Sequence, residues 1–120
     1  MGTNSRWRFI QGNIDASTNN STVVFTRLNT IIGSHTLHNV EFNSTGNTVF
    51  TISSGTELTT TGTLKFSGPK NIFLIAGIIN AKGDIIVTNI GTLSTGGSTT
   101  IKINGTANQT LTGNGIIGVG

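Results

Sequence analysis

The sequence predicts an all-β protein wound as a parallel β-helix (β-solenoid) of about five irregular turns. The composition of the chain and a short pattern that recurs along it carry this prediction. The strand-favouring residues Thr, Val, Ile and Phe are plentiful, whereas long runs of Ala, Leu, Glu and Lys are missing. Only 9% of the residues are charged and 34% are hydrophobic, which is unlike the composition of a disordered chain.

The recurring pattern is a three-residue run whose first and third residues are apolar, while the middle residue varies. This alternation is typical of a strand with one face inward and one face outward. We predict that the first and third residues form the core and that the middle residues face solvent. The five runs are Val23–Phe25, Val40–Phe42, Leu64–Phe66, Ile85–Val87 and Ile101–Ile103.

Further strands complete each turn between these runs. Thr48–Ile52, Ile72–Ile75 and Gln109–Thr112 are predicted to be the second strand of a turn. The shorter turn after Val87 is predicted to omit this strand. Sharp bends need the positive φ values that glycine adopts readily, so glycines are expected at the corners. The predicted corner residues are Gly46, Gly68 and Gly105.

A β-sandwich is the alternative, because short strands at regular spacing with turn signals fit that fold as well. Hairpin turns of the Asn-Gly and Asp-Gly type are scarce, however, and Asn104-Gly105 and Asn114-Gly115 are the only such pairs. Helical periodicity is missing between the strands, which argues against repeats that contain helices. The parallel solenoid is therefore the favoured prediction.

Residues 1–21 are predicted to form an N-terminal cap strand and a polar linker, and residues 22–120 to form the solenoid. Charged and apolar residues alternate from Arg6 to Ile10, which predicts a strand with Trp7 and Phe9 on one face. No apolar run reaches the length that crosses a membrane, and the N-terminal residues lack the apolar region of a signal peptide. We expect no insertion into a membrane.

The charged residues are too few and too scattered for most kinds of functional site. The net charge is +3, but the seven basic residues form no cluster, so we expect no nucleic-acid binding. Sites that cleave polysaccharides need two or three clustered acids. Glu41 is instead predicted to lie one turn from Lys65, as a surface pair of opposite charge. We predict that the protein is not an enzyme and binds no cofactor. The four carboxylates are Asp15, Glu41, Glu57 and Asp84.

Two further patterns are expected to be structural. His35 and His38 are three residues apart, but in strands and turns they point to different faces without a third ligand, so we predict solvated corners and no metal site. Thr59–Thr61 suggests a flat hydroxyl face of the kind that binds ice. Such a face needs threonine at the same place on successive turns, whereas the predicted equivalents are Asn80–Lys82 and Ser94–Gly96.

The stretches G-T-L-K-F-S-G, A-K-G-D-I-I-V-T-N and T-I-K-I-N-G-T-A-N-Q-T-L-T-G resemble repeats of large bacterial surface proteins. These are adhesin-like β-helices related to filamentous haemagglutinin, common among proteins exported by the type IX route. The likeness covers residues 37–113. The resemblance implies a right-handed parallel β-helix that serves as a stalk or an adhesive surface. It implies an extracellular or cell-surface location, with a virion surface as the alternative.

We therefore predict a non-enzymatic structural or adhesive module that associates with itself end to end into fibres, or forms part of a longer stalk. The alternative is a carbohydrate- or ice-binding module that uses one flat Thr/Asn-rich face, with a surface glycan as its partner. End-to-end association is expected because the terminal strands of a solenoid expose unpaired backbone groups that recruit another strand. The residues predicted to associate are Trp7, Phe9 and Ile10 at one end and Ile116, Ile117 and Val119 at the other.

Overall fold

The chain folds as a parallel β-solenoid whose faces are three sheets. A computed structural model describes residues 5–8, 20–27, 29–92 and 97–118, with side chains for all of these except the terminal strands at 5–8 and 117–118. Within these residues every regular element is a strand and every strand pairing is parallel. The predicted solenoid is confirmed, and the β-sandwich, which is built from antiparallel sheets, is wrong.

The strands are distributed over three sheets in which neighbouring strands come from different turns of the chain. Sheet A contains β1 (Ser5–Arg8), β3 (Asn29–Ile32), β6 (Thr48–Ile52), β9 (Ile72–Ile75) and β14 (Ile117–Gly118). Sheet B contains β4 (His35–Leu37), β7 (Glu57–Thr60), β10 (Ile78–Ala81) and β12 (Thr100–Ile103). Sheet C contains β2 (Thr22–Thr26), β5 (Asn39–Asn43), β8 (Leu64–Ser67), β11 (Ile85–Val87) and β13 (Leu111–Gly113).

The chain visits the sheets in a fixed order, so that β3, β4 and β5 form one turn and β6, β7 and β8 form the next. Successive turns are hydrogen-bonded strand to strand, and their spacing is therefore about 4.8 Å. Equivalent residues of successive turns stack into columns that point either into the core or to solvent. Phe25, Phe42 and Phe66 form one inward column in sheet C.

The core is a single apolar cluster that includes this phenylalanine column. The ring centroid of Phe42 lies 5.5 Å from that of Phe25 and 5.6 Å from that of Phe66, with the rings stacked. Phe50 of sheet A reaches the same ring at 4.9 Å in a tilted contact. Such aromatic pairs contribute about 0.5–1.5 kcal/mol each beyond the burial of their surface. Phe42 is therefore the centre of the packing that joins sheets A and C.

Four of the five predicted core runs lie in sheet C as expected, whereas the prediction for the fifth is wrong. Ile101–Ile103 lies in β12 of sheet B, where Ile101 pairs with Ile79. The strand that continues sheet C is Leu111–Gly113. The prediction that Ile103 is buried is also wrong, because no later described strand covers it. Alternation of apolar residues is the same in every sheet, so it does not reveal which sheet a strand joins.

In its described residues the fourth turn has no strand in sheet A, as the sequence predicts. The described residues between β11 and β12, at 88–92 and 97–99, form no strand. Strand β14 takes the place of the omitted strand and pairs directly with β9. Hydrogen bonds from Gly115 N to Val87 O (2.9 Å) and from Asn89 Nδ2 to Ile116 O guide the chain there. Strands β12, β13 and β14 consequently lie at one level and close the last turn.

The corners depart from the prediction at two glycines. Gly68 has the expected positive φ, at 103°, but Gly46 and Gly105 do not. At the first of these corners the hydroxyl of Thr48 donates to the Gly46 carbonyl at 2.7 Å, and this local bond makes the bend without a positive φ. At the second corner Gln109 Oε1 accepts a hydrogen bond from the Gly105 amide at 2.6 Å. Elsewhere in the described part of the chain, Gly33, Gly55, Gly77 and Gly113 have positive φ.

Candidate functional site

The outer face of sheet C carries a charged cluster centred on Glu41. Glu41 pairs in register with Lys65, and its Oε1 lies 3.5 Å from Lys65 Nζ. Ser67 Oγ donates to the same oxygen at 2.5 Å and Asn43 Nδ2 donates at 3.4 Å. The predicted surface pair is confirmed. It joins one acid to one base, and a pair of this kind contributes about 1 kcal/mol at most.

The carboxyl group of Glu41 has a lowered pKa. Burial raises this pKa, but the hydrogen bond from Ser67, the charge of Lys65 and the hydrogen bond from Asn43 outweigh the effect of burial. The pKa therefore lies below its ordinary value of 4.5. A carboxylate with a lowered pKa stabilises the folded state above its unfolded pKa, and this stability is lost as the pH falls through the folded pKa.

We expect Glu41→Gln to weaken the pH dependence of stability on the acid side. The wild type should lose stability as the pH falls below about 4.5, and the variant should lose less because it has no carboxylate to protonate at this place. Thermal unfolding followed by circular dichroism between neutral and acid pH measures the difference. Lys65→Met is the matched control: it removes the ammonium but keeps the Ser67 hydrogen bond, so its curve should lie between the other two. Parallel curves for wild type and Glu41→Gln would contradict the assignment.

The described acids do not converge on one site. Glu41 lies on sheet C and Glu57 on sheet B, where Glu57 Oε1 is 4.0 Å from Lys102 Nζ. Asp84 stands before β11 and accepts a hydrogen bond from the Thr110 amide at 2.9 Å, which lowers the pKa of Asp84. Asp15 lies outside the described residues. Among the residues whose positions are described, no three His, Cys, Asp or Glu side chains form a group that could hold a metal ion.

The two histidines differ from each other in their surroundings. His35 is 6% exposed, and its Nε2 lies 3.0 Å from the Ile32 carbonyl oxygen. The prediction of a solvated corner is therefore wrong for His35, because its strand position belongs to the inward column that continues with Leu58. His38 stands at the corner after β4, half-buried, with Nδ1 3.2 Å from Thr61 Oγ1.

Sheet B does not form a regular threonine face among its described strands. The outward column reads Thr36, Thr59, Asn80 and Lys102. The predicted equivalence of Thr59 and Asn80 is confirmed. The next residue in this column is Lys102 and not Ser94. Residues 94–96 lie outside the described residues. Asn80 Nδ2 donates to Glu57 Oε2 at 2.7 Å, so polar groups of this face bind each other across turns.

The last turn exposes apolar side chains that occupy core positions in the turns before it. Ile103 follows Ala81 in an inward column of sheet B, and its exposed fraction is 59% where that of Ala81 is 0%. Leu111 follows Ile85 in an inward column of sheet C. Leu111 is 67% exposed, whereas Ile85 is 4% exposed. Ile116, just before β14, is also exposed. We call this surface the C-terminal edge and define it as β12, β13, β14 and Ile116.

The C-terminal edge also presents unpaired backbone. Strands β12, β13 and β14 are each the last strand of their sheet, so in the described part of the chain nothing pairs with their outer sides. Natural proteins protect such edges with charges, proline or covering loops. Residues 97–118 contain no proline and one charged residue, Lys102. Lys102 is therefore the one charged residue in this stretch that can hinder pairing at the three strand edges.

At the opposite end of the solenoid the described inward side chains are buried. Phe25 in β2 and Leu37 in β4, the outermost described strands of sheets C and B, are fully buried. Strand β1 lies over β3, with Trp7 opposite Ile31 in register. Phe25 and Leu37 therefore belong to the core, unlike Ile103 and Leu111 of the C-terminal edge.

The predicted association residues fall into three groups. Trp7 in β1 and Ile117 in β14 belong to the two outermost strands of sheet A, so they lie at opposite ends of the solenoid. Ile116 belongs to the C-terminal edge, and Phe9, Ile10 and Val119 lie outside the described residues. Sequence reasoning missed Leu111 and Ile103 as surface residues. Both residues occupy inward positions of ordinary alternating strands, so the alternation gives no signal of their exposure.

Comparison with known proteins gives no relative: no family model, no curated protein and no solved structure matches the chain. The described residues include no helix that is long and apolar enough to cross a membrane.

Proposed function

We propose that the protein is a non-enzymatic structural module that associates end to end through the C-terminal edge. The observation that supports this proposal is the exposure of Ile103 and Leu111, in columns whose preceding members are buried. Monomeric soluble proteins rarely expose a large continuous apolar surface, and such a surface commonly marks an interaction site. Here the exposed residues continue inward columns of the core, so a further layer of strands stacked on the C-terminal edge would bury them.

The energy available at this surface is sufficient for association only if side chains and backbone act together. Complete burial of an Ile or Leu side chain contributes about 1.5–3 kcal/mol, whereas association costs about 4–15 kcal/mol in lost translational and rotational freedom. Three unpaired strand edges provide the additional contacts, since each can accept a further strand. The proposed interface therefore involves all three sheets at once.

A structural role agrees with the resemblance of residues 37–113 to adhesin-like β-helices of bacterial surfaces. A module of this kind extends a stalk or joins copies into a fibre, on a cell or virion surface. Its stiffness comes from the continuous columns, in which each turn packs on the next. The location on a cell or virion surface is inferred from the similarity of fold, whereas the proposed function is based on the C-terminal edge.

A second candidate function is glycan binding on the outer face of sheet C. The observation that favours it is a shallow groove of about 260 Å³. Typical ligand pockets are about 300–1,000 Å³ and mostly apolar, so this groove is smaller and more polar than most. A binder of this kind should show a rise in melting temperature with added oligosaccharide. The groove is lined by Thr22, Asn39, Val40, Glu41, Thr63 and Lys65.

The test of the structural role is the mass of the purified chain in solution. Light scattering over a hundredfold concentration range should report a mass that rises above the 12.5 kDa of one chain. The double variant Ile103→Lys, Leu111→Lys should remain at the mass of one chain, because two buried charges at the interface oppose association. Val24→Lys is the matched control, since Val24 is 37% exposed but lies in β2, at the opposite end of sheet C from the C-terminal edge. A wild type that stays at one chain mass throughout would refute the proposal.

A further inference from the structure

We infer that the outer face of sheet B is arranged to form a covalent cross-link between two turns of the solenoid, an amide bond between the side chains of Lys102 and Asn80. The groups involved are Glu57, Asn80, Lys102 and Asn104. The inference goes beyond the proposed end-to-end association and does not depend on it. Such a bond forms once within a chain, so it is a self-modification and not the turnover of a substrate.

Glu57 and Lys102 meet over Asn80. In sheet B, β10 lies between β7, which carries Glu57, and β12, which carries Lys102. The strands on either side of β10 are two strand spacings apart, about 9.6 Å. Nevertheless, Glu57 Oε1 lies 4.0 Å from Lys102 Nζ, so the two side chains approach each other across the outer face of β10. Asn80 is the β10 residue in register with Lys102, in the same outward column.

The carboxamide group of Asn80 is held from both sides. Its Nδ2 donates to Glu57 Oε2 at 2.7 Å, and its Oδ1 accepts a hydrogen bond from Asn104 Nδ2 at 3.3 Å. Asn80 is 7% exposed although it belongs to an outward column, so neighbouring side chains shield it from water. The side chain of Lys102 is 49% exposed, which leaves room for its flexible four-carbon stem to change rotamer.

This arrangement provides each group that aminolysis of an amide requires. The neutral amine of Lys102 is the nucleophile, and Cγ of Asn80 is the electrophile. Glu57 faces the attacking nitrogen with one oxygen and the leaving nitrogen with the other, which suits it to carry a proton between them. Asn104 donates to the oxygen on which negative charge develops during the attack.

The reaction releases one ammonia and needs no other reactant. The lone pair of Lys102 Nζ forms a bond to Cγ of Asn80, while the π electrons of the carbonyl group move to Oδ1. Glu57 takes a proton from Nζ and gives a proton to Nδ2. The carbonyl group then re-forms, the Cγ–Nδ2 bond breaks, and Nδ2 leaves as ammonia. Well-oriented groups in one molecule reach effective concentrations of about 10⁵–10⁸ M, which offsets the low reactivity of an amide.

Intact mass spectrometry of the purified, folded chain tests the cross-link. Because only the neutral amine attacks, incubation at mildly alkaline pH should increase the fraction of chains that have lost the mass of one ammonia. Trypsin cuts between the two residues at Lys82, yet the peptide with Asn80 should remain joined to the peptide with Lys102. Glu57→Gln removes the proton carrier and should slow the loss by about 10²–10⁴-fold.

Two lysine variants are the matched controls. Lys102→Arg keeps the positive charge beside Glu57 but removes the nucleophilic amine, so this variant should keep its full mass. Lys65→Arg should lose ammonia as the wild type does. Lys65 also lies beside a carboxylate that accepts a hydrogen bond from an asparagine, but that residue, Asn43, is not its partner in register. Circular dichroism shows whether each variant is folded.

The two Asn-Gly sequences are a competing source of the same mass loss. In Asn104-Gly105 and Asn114-Gly115 the glycine nitrogen can displace the side-chain ammonia of its own asparagine, but that reaction persists in Lys102→Arg and joins no peptides. A loss that disappears in Lys102→Arg, together with the joined peptides, supports the cross-link. A wild type that keeps its full mass, or a loss that Lys102→Arg retains, would overturn it and leave these contacts with a structural role only.

Discussion

Replacement of Phe42 by alanine should lower the free energy of unfolding by about 3–5 kcal/mol, the usual cost of removing a buried phenylalanine. Phe42 is fully buried and its ring contacts the rings of Phe25, Phe66 and Phe50. The substitution removes the buried surface, leaves a cavity between sheets A and C, and breaks three aromatic contacts. The cost should therefore lie in the upper part of this range.

The matched control for this prediction is Phe73→Ala. Phe73 lies on the outward side of β9 and is only partly buried, so the same change of side chain leaves no closed cavity. We expect a loss less than half as large. Urea unfolding followed by far-ultraviolet circular dichroism measures both variants. Equal losses would show that the inward and outward columns are assigned incorrectly.

The second large effect is expected for Gly68→Ala. Gly68 has a φ of 103°, a conformation that strains any residue with a Cβ atom by about 1–3 kcal/mol. An added Cβ would also lie 2.7 Å from the backbone nitrogen of Ser44. Ser44 cannot move away easily, because its hydroxyl donates to the Lys70 carbonyl at 2.7 Å and its amide donates to the Ser67 carbonyl at 2.9 Å. Overpacking of this kind adds about 1–3 kcal/mol, so the total should be about 2–6 kcal/mol.

Two other glycines separate the contributions of strain and contact. Gly55 has a φ of 77°, but no atom lies within 4 Å of the place that an added Cβ would occupy, so Gly55→Ala should show the cost of strain alone. Gly46 has neither a positive φ nor a near neighbour, and Gly46→Ala should be neutral or stabilising by about 0.4–1 kcal/mol. The urea concentration at the midpoint of unfolding should therefore be highest for Gly46→Ala, lower for Gly55→Ala and lowest for Gly68→Ala. The close approach to Ser44 would be disproved if the last two variants were equally stable.

Much of the fold follows from local alternation in the sequence. The period of two is a property of each strand by itself, so it identifies the four inward runs that sheet C contains and the strands at 48–52 and 72–75. It also places Glu41 beside Lys65, because residues at the same place in successive runs must stack. The sequence also predicts that the turn after Val87 omits a strand, and the described residues 88–92 and 97–99 form none.

The candidate site could be predicted only in part. The apolar, nearly uncharged C-terminal residues indicate an exposed edge, and Ile116 lies there. The sequence does not identify Leu111 and Ile103 as its exposed side chains, because they occupy inward positions of ordinary strands. Whether an inward residue is buried depends on whether another turn lies next to it. Alternation within a strand carries no information about that.

The sequence by itself determined that the chain is all-β, that it winds, and which side chains of most strands point inward. Only the tertiary structure decided which sheet the last strands join, that β14 fills the level left open beside β9, and that His35 is buried. The physical reason is the range of the interactions involved. Strand alternation is set by neighbouring residues, whereas the pairing of a strand is set by hydrogen bonds to residues at least 17 positions away, across corners of unequal length.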